Sequence, residues 1–211
     1  YADKVVGQIV AQLEKSGVRE NTLLIFTGDN GTDKPIVTSW NGTKVAGGKG
    51  SMTDAGTRVP LIASWPAGIK QPERVVDDLV EFCDLMPTLC EVPGADLPLN
   101  YAGDGSSIVP VLQNNASARK KDWIYIWYRG QVMVRNNQYS LLAKTDGSDA
   151  SLTRYKGPFD GEKLKDYTLS QPESAIKQQF KATLTRLAKS RLLSVSNEIR
   201  VKIQKPRRNK K

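Results

Sequence analysis

Thr22-Leu23-Leu24-Ile25-Phe26-Thr27-Gly28-Asp29-Asn30-Gly31 is the stretch whose reading decides the fold. Residues 22–27 form a continuous apolar run rather than an alternating one. Such a run suits a strand covered on both faces, as in a parallel sheet. It stops abruptly at a polar Gly-Asp-Asn-Gly. Upstream, Val6, Ile9, Val10 and Leu13 recur at spacings of three and four, which predicts a helix with one apolar stripe. Gly17 follows as its C-terminal stop. Helix, strand, then a polar loop at the strand's carboxyl end is the α/β pattern, and open α/β sheets put their ligands at that end.

Downstream, a long Gly-rich and polar loop runs from Thr32 to about Thr57. Loops of that length in a compact domain are usually functional or mobile. Pro60-Leu61-Ile62-Ala63-Ser64-Trp65 reads as a second short buried strand, with proline at the first strand position, where it is tolerated. Val75 to Val92 contains a helix, with Asp84 as N-cap for Leu85–Leu89 and Pro93-Gly94 as its end. Asp104-Gly105 through Asn115 is a turn and a connection.

Composition then shifts. Trp123–Tyr128, Gln131–Arg135 and Gln138–Lys144 are aromatic or β-branched runs separated by short turns such as Asn136-Asn137, which predicts an antiparallel meander. Ser170-Gln171-Pro172-Glu173 has the form of a capping box. The helix after it places Ile176, Phe180, Leu184 and Leu187 on one face. Ser196 to Gln204 alternates weakly through Ile199, Val201 and Ile203, and Lys205 to Lys211 reads as disordered. No internal repeat is present.

The chain has 211 residues and begins with Tyr1, so it reads as a fragment or a trimmed product. No stretch approaches the roughly 20 apolar residues of a membrane-spanning helix. The sequence contains no histidine. Alone, it can build neither the histidine-ligated zinc site of a typical zinc hydrolase nor a Ser-His-Asp triad. Cys83 and Cys90 form no disulfide framework and no zinc motif; they read as two buried thiols on one helix. The net charge of +9 is not spread evenly. Residues 173–211 hold 12 of the 31 Lys/Arg and 2 of the 22 Asp/Glu, which leaves residues 1–172 with a net −1. Arguments from charge to polyanions therefore apply to the tail alone. That tail reads first as a solvated helix face and a disordered end. No aromatic residue follows Phe180 to supply a stacking platform, so nucleic acid is an unlikely partner.

Three motifs carry candidate chemistry. Asp29-Asn30, taken alone, is a turn sequence. At the end of a buried strand its carboxylate and amide oxygen could converge on one cation, and both are hard donors of the kind Ca²⁺ or Mg²⁺ takes. Two oxygens fall short of the about 6–8 that Ca²⁺ needs. Gly47-Gly48-Lys49-Gly50 leaves room for an anion beside the backbone with an ammonium above it, or it is a flexible surface loop. A P-loop is excluded, because that motif needs Gly at position 43 and Ser or Thr at position 50, where this chain has Thr43 and Gly50. Arg58, before the second strand, could point to the same pocket; an ordinary charge at a strand entrance is the simpler reading.

One family has these pieces in this order. Tyr1-x-Asp3-x-x-x-Gly7, Glu20 to Gly31, Gly48-Lys49-Gly50, Arg58-Val59-Pro60-Leu61-Ile62, Trp65-Pro66-Ala67-Gly68-Ile69, Asp84-x-x-Pro87-Thr88-Leu89 and Asp104-Gly105-x-Ser107 together resemble the C-terminal part of type I, formylglycine-dependent sulfatases. These belong to the alkaline-phosphatase-like superfamily. The resemblance covers residues 1–112 strongly, continues weakly through Trp123–Leu142, and leaves 173–211 unmatched. It implies an α/β fold, with residues 1–112 as the C-terminal portion of the catalytic domain. Residues 113–172 would be a small antiparallel subdomain, and 173–211 a basic helix and disordered tail.

The resemblance also implies a site. Asp29 and Asn30 occupy the family's divalent-cation positions, usually for Ca²⁺, and Lys49 that of the sulfate-binding lysine. The cation also holds the sulfate and a formylglycine made from the Cys or Ser of a Cys/Ser-x-Pro-Ser-Arg motif. No such motif occurs here: Cys83 is followed by Asp84-Leu85-Met86 and Cys90 by Glu91-Val92-Pro93. The family's paired aspartates, active-site histidines and second lysine are missing too, and all are expected upstream. This chain alone is therefore expected to be inactive and to lean on the missing N-terminal part of its domain, which would cover its open sheet edges.

The resemblance points to a sulfuric ester hydrolase acting on a sulfated small molecule or polysaccharide, in a periplasmic or extracellular setting. The alternatives are a phosphoester or phosphonate-ester hydrolase of the same superfamily, and a catalytically dead polyanion-binding module using the basic tail.

Overall fold

The computed structural model describes residues 1–101, 103–114 and 121–194. Helix α1 (Ala2–Lys15) carries the predicted stripe and closes at Ser16, followed by Gly17 at φ +69°. That left-handed conformation is the one glycine adopts freely after a helix. No residue of α1 is fully buried by the described residues; of its stripe, Val6, Val10 and Leu13 are half-buried and Ile9 is exposed.

The deciding stretch forms β1 (Leu24–Thr27), which pairs with β4 (Leu61–Ser64) in register Leu24↔Ser64 to Thr27↔Leu61. The pairing is antiparallel, which corrects the parallel reading. The run is also not covered on both faces by the described residues: Phe26 is 39% and Ile62 59% exposed. A continuous apolar run records that both faces want cover; it does not record strand direction.

The predicted loop from Thr32 to Thr57 is more ordered than expected. It holds a hairpin, β2 (Val37–Trp40) and β3 (Thr43–Ala46), and a short turn of helix, α2 (Asp54–Thr57). The hairpin turns on Asn41-Gly42, both at positive φ (+47° and +80°), as the tight primed turn requires and as Asn-Gly supplies.

A 3₁₀ turn (Phe82–Asp84) leads into α3 (Leu85–Glu91), and α4 (Val109–Leu112) follows. Asp84 sits at the N-cap position, but its side chain does not cap α3, contrary to the sequence expectation. Its fully buried carboxylate accepts from the Glu81 N–H (2.9 Å) and the Ser106 N–H (2.8 Å). Thr88 continues that tie, accepting from the Ile108 N–H at 3.0 Å and donating to the Asp84 carbonyl at 2.6 Å. These bonds hold the 106–108 segment against α3, and Ile108, Val111 and Leu112 pack with Leu61, Ala63 and Val80. Cys83 and Cys90 are free thiols, both only partly buried, and only Cys90 lies on α3.

The meander is present and extends beyond its predicted three strands. Strands β5 (Ile124–Tyr128), β6 (Gln131–Arg135), β7 (Tyr139–Lys144), β8 (Ser151–Gly157) and β9 (Asp160–Lys163) form one antiparallel sheet in chain order. Helix α5 (Gln171–Ser194) crosses it. Phe180 and Leu184 join Val132, Val134, Leu141, Ala143 and Leu152 in one core, with Ile176 against it; Leu187 is buried as well. The alternating residues of β6 supply one wall of that core.

The capping box forms as read: the Ser170 N–H donates to Glu173 Oε2 at 2.9 Å, and the Glu173 N–H reaches Ser170 Oγ at 3.5 Å. Bonds from Ser170, and the nearby Arg154 guanidinium, hold the Glu173 carboxyl below its ordinary 4.5. A carboxylate depressed in the folded state stabilises above its unfolded pKa, and the gain is lost as pH falls through the folded value. Glu173→Gln is therefore expected to lower the melting temperature at pH 7 and to match wild type near pH 2–3. Melts across that range check the sign. The segment Ser196–Lys211, read as weakly alternating and then disordered, lies outside the described residues.

Candidate functional site

The site is built on close backbone contact. The Gly31 N–H donates to the Gly56 carbonyl (3.0 Å), and the Lys49 N–H donates to the Thr32 carbonyl (3.0 Å). Gly31 and Gly48 both lie against Ala55, and Gly56 lies against Ser51 and Gly48. A Cβ on Gly31 would overlap the Ala55 carbonyl, and one on Gly48 would come within 2.7 Å of the Ala55 Cβ. The glycines around Lys49 thus let three chain segments meet at α2; Gly48 is spent on packing and not on approach to a ligand.

Around it, the sequence-predicted residues share the lining of one wide concavity. Asp29, Asn30, Lys49 and Arg58 line a single open concavity of 2030 Å³, together with Thr27 and Trp40. Asp29, Lys49 and Arg58 are exposed and Asn30 is half-buried. Among the described residues, none of these four side chains has a hydrogen-bond or ion-pair partner. Such unengaged polar groups around one concavity are what a polar ligand requires.

α2 is itself anchored to the small sheet. Asp54, 4% exposed, pairs with Arg135 of β6, 5% exposed. The second guanidinium nitrogen lies 3.3 Å from Asp54 Oδ2, and the Phe159 N–H donates to that same oxygen at 2.9 Å. Arg135 also stacks on the Tyr155 ring at 3.9 Å. Burial pushes the Arg135 pKa down, and the neighbouring Tyr155 works against that shift. No sequence motif marks this pair, because its partners lie on separate elements far apart in the chain.

A family model described as Sulfatase matches residues 1–95, which contain Asp29, Asn30, Lys49 and Arg58. The chain is 34% identical over 157 residues to arylsulfatase A of Homo sapiens, covering 72% of this chain and 30% of that protein. It belongs to the sulfatase family. Steryl-sulfatase of Mus musculus is 31% identical over 137 residues, covering 59% of this sulfatase chain and 22% of the relative. The sulfatase chain therefore spans less than a third of the length of these relatives. Its fold matches a solved 2-O GAG sulfatase with a TM-score of 0.67 at 25% identity, over 92% of this chain and 42% of that one. A sulfatase from Pseudoalteromonas sp. gives 0.58 at 21% identity and supports the fold alone. The α/β architecture of this family is thus the one observed, with its antiparallel sheet and packed helix.

Two places in the sulfatase chain could be tested for a cation. Glu81, Cys83 and Asp84 bring three ligand atoms within 4.8 Å of one another. Their chemistry argues against a metal. Glu81 is paired with Lys121 and accepts from the Tyr125 N–H at 2.9 Å, and both Asp84 oxygens accept backbone N–H groups. Burial, with Asp104 and Asp84 nearby, pushes the Cys83 thiol up to about 12, so it is no thiolate at neutral pH. This cluster ties the 81–84 turn to the small sheet. Asp29 and Asn30 differ: a carboxylate and an amide, both without an internal partner among the described residues, supply hard oxygens suited to Ca²⁺. They fit part of a Ca²⁺ site and leave most of its oxygens to be supplied from elsewhere.

Proposed function

We propose that this chain is the C-terminal part of a sulfuric ester hydrolase, with Asp29 and Asn30 as ligands of a divalent cation, Ca²⁺, and Lys49 as the sulfate-binding residue. The observation that carries this reading is that Asp29, Asn30 and Lys49 line one concavity with their polar ends unengaged among the described residues. The nucleophile, as formylglycine, and the remaining cation ligands come from sequence upstream of residue 1. Residues 1–112 act as the catalytic portion, 113–172 as a supporting subdomain and 173–211 as a basic appendage.

A bound cation would supply Lewis-acid stabilisation of the charge on the transferred group. The chain's own residues do the rest of the positioning. Cleavage of a sulfate ester builds negative charge on the sulfuryl oxygens and on the leaving oxygen. Lys49 places an ammonium beside a sulfuryl oxygen, and the docked glycines fix the backbone from which it projects, so little reorganisation is needed when charge develops. Asp29 and Asn30 would be the residues of this chain that hold the cation.

The substrate is a sulfated small molecule or polysaccharide. The named relatives span aryl, steryl and GAG sulfatases. A periplasmic or extracellular setting suits such substrates. No helix among the described residues is long and apolar enough to cross a membrane.

The test is turnover of paired sulfate and phosphate esters by the full-length protein, with and without a Ca²⁺ chelator. Sulfate esters are expected to be cleaved at least 100-fold faster than their phosphate counterparts, with loss on chelation. Preference for the phosphate ester would overturn the sulfatase reading in favour of its superfamily relatives.

A further inference from the structure

Trp40 is the last residue of β2, next to the Asn41-Gly42 turn, and it is 46% exposed. Among the described residues every residue of β2 is exposed, so their packing does not account for an indole there. Its ring meets Phe159 edge to face, with centroids 5.7 Å apart and planes at 66°. Both rings line the concavity that holds Asp29, Asn30 and Lys49.

Phe159 is held in an unusual way. It lies in the Pro158-Phe159 turn between β8 and β9, at φ +63°. A bulky residue is an outlier in that region, and glycine is the usual occupant of such a turn position. Its N–H is fixed to the buried Asp54 carboxylate. Backbone strain kept at a residue whose ring then props another exposed ring points to a use for the pair.

The hairpin sets the order of the two groups along the chain. Trp40 pairs with Thr43, while Val37 pairs with Ala46, from which the chain runs on to Lys49. Three residues of strand span about 10 Å. Trp40 thus lies at the end of the hairpin away from the segment that bears Lys49, and a ligand that meets both is taken to be an extended one. A pyranose suits the place: an apolar C–H face for the indole and a hydroxyl rim for a wet, polar mouth.

We infer that Trp40, propped by Phe159, is a distal sugar-stacking subsite, so that the sulfate ester is carried on an oligosaccharide. This rests on the sulfuric ester hydrolase reading and narrows its substrate class. The test uses the full-length protein, sulfated tetrasaccharides from heparin, chondroitin sulfate and carrageenan, and galactose 6-sulfate as the short comparison. With the best-cleaved tetrasaccharide, Trp40→Ala is expected to raise KM about 3- to 10-fold, the usual size of one lost ring contact. Its effect on kcat should be small, its effect on the monosaccharide at least threefold smaller than on the tetrasaccharide, and Trp40→Phe should recover most of the loss. Equal effects on both lengths, or no effect on tetrasaccharide KM, would overturn the inference.

A binding arm keeps the two readings apart. Quenching of the tryptophan fluorescence that Trp40→Phe removes is followed as tetrasaccharide is added. If the protein cleaves no sulfate ester, the hydrolase reading fails, and quenching alone then decides the stacking inference: present it stands, absent it falls.

Discussion

Lys49→Ala in the full-length protein is expected to lower kcat for sulfate ester cleavage by about 10²- to 10³-fold, the usual cost of removing one preorganised donor to transition-state charge. The size follows from the local structure. Lys49 sits on a segment whose backbone is fixed at Thr32 and packed at Gly48. Its ammonium has no internal partner among the described residues, so the charge does no folding work there. Stability should therefore change by no more than about 0.5 kcal/mol, as for surface changes generally. Lys49→Arg keeps the charge but changes its shape and reach, and should fall between alanine and wild type. Steady-state kinetics with a parallel thermal melt check both parts. A kcat within twofold of wild type would remove Lys49 from the site.

Asp54→Ala is expected to destabilise the protein by about 3–5 kcal/mol, the cost of leaving a buried partner charge uncompensated. Arg135 would remain in place, buried, with its Nε already lacking a hydrogen bond. Tyr155 alone would face the cation, and one cation–π contact is worth about 0.5–2 kcal/mol, too little to offset the loss. The Phe159 N–H would lose its acceptor as well. Replacing both partners, as in Asp54→Leu with Arg135→Met, removes the stranded charge and should recover most of the stability. Denaturant unfolding of the two singles and the double measures the coupling. Additive losses would show that the pair does not act as a unit. Because Gly31 and Gly48 dock on α2, Asp54→Ala should also weaken cation and sulfate binding at temperatures where the protein remains folded.

Much of this was legible in the residues. Asp29, Asn30 and Lys49 are singled out by their place after an apolar run and by a family resemblance, and all three line one concavity. The capping box at Ser170 and the apolar face of α5 were legible because both are local and periodic. Strand direction was not: the run at Leu24–Thr27 carries the same residues whether its neighbour is parallel or antiparallel. Strands β8 and β9 were missed because Thr153, Arg154, Lys156 and Glu162 interrupt any apolar alternation; β8 is half-buried and β9 is exposed, so neither needs a strong pattern. The Asn41-Gly42 hairpin did carry its signal, a two-residue primed turn between β-forming runs, hidden inside a stretch read as loop. The Asp54–Arg135 pair left no trace, since tertiary pairing of distant charges has no sequence period.

The tie at Asp54 reaches across 81 residues to Arg135 and 105 to Phe159. Closing such spans costs chain entropy before any contact rewards it, and distant pairings slow folding. The pocket therefore takes its final shape late, once β6 and the β8–β9 turn exist to receive the carboxylate. During synthesis, the polypeptide that bears Asp29, Asn30 and Lys49 leaves the ribosome well ahead of the scaffold that holds α2. The shape of the concavity thus waits on a piece of chain far from Asp29, Asn30 and Lys49 in sequence.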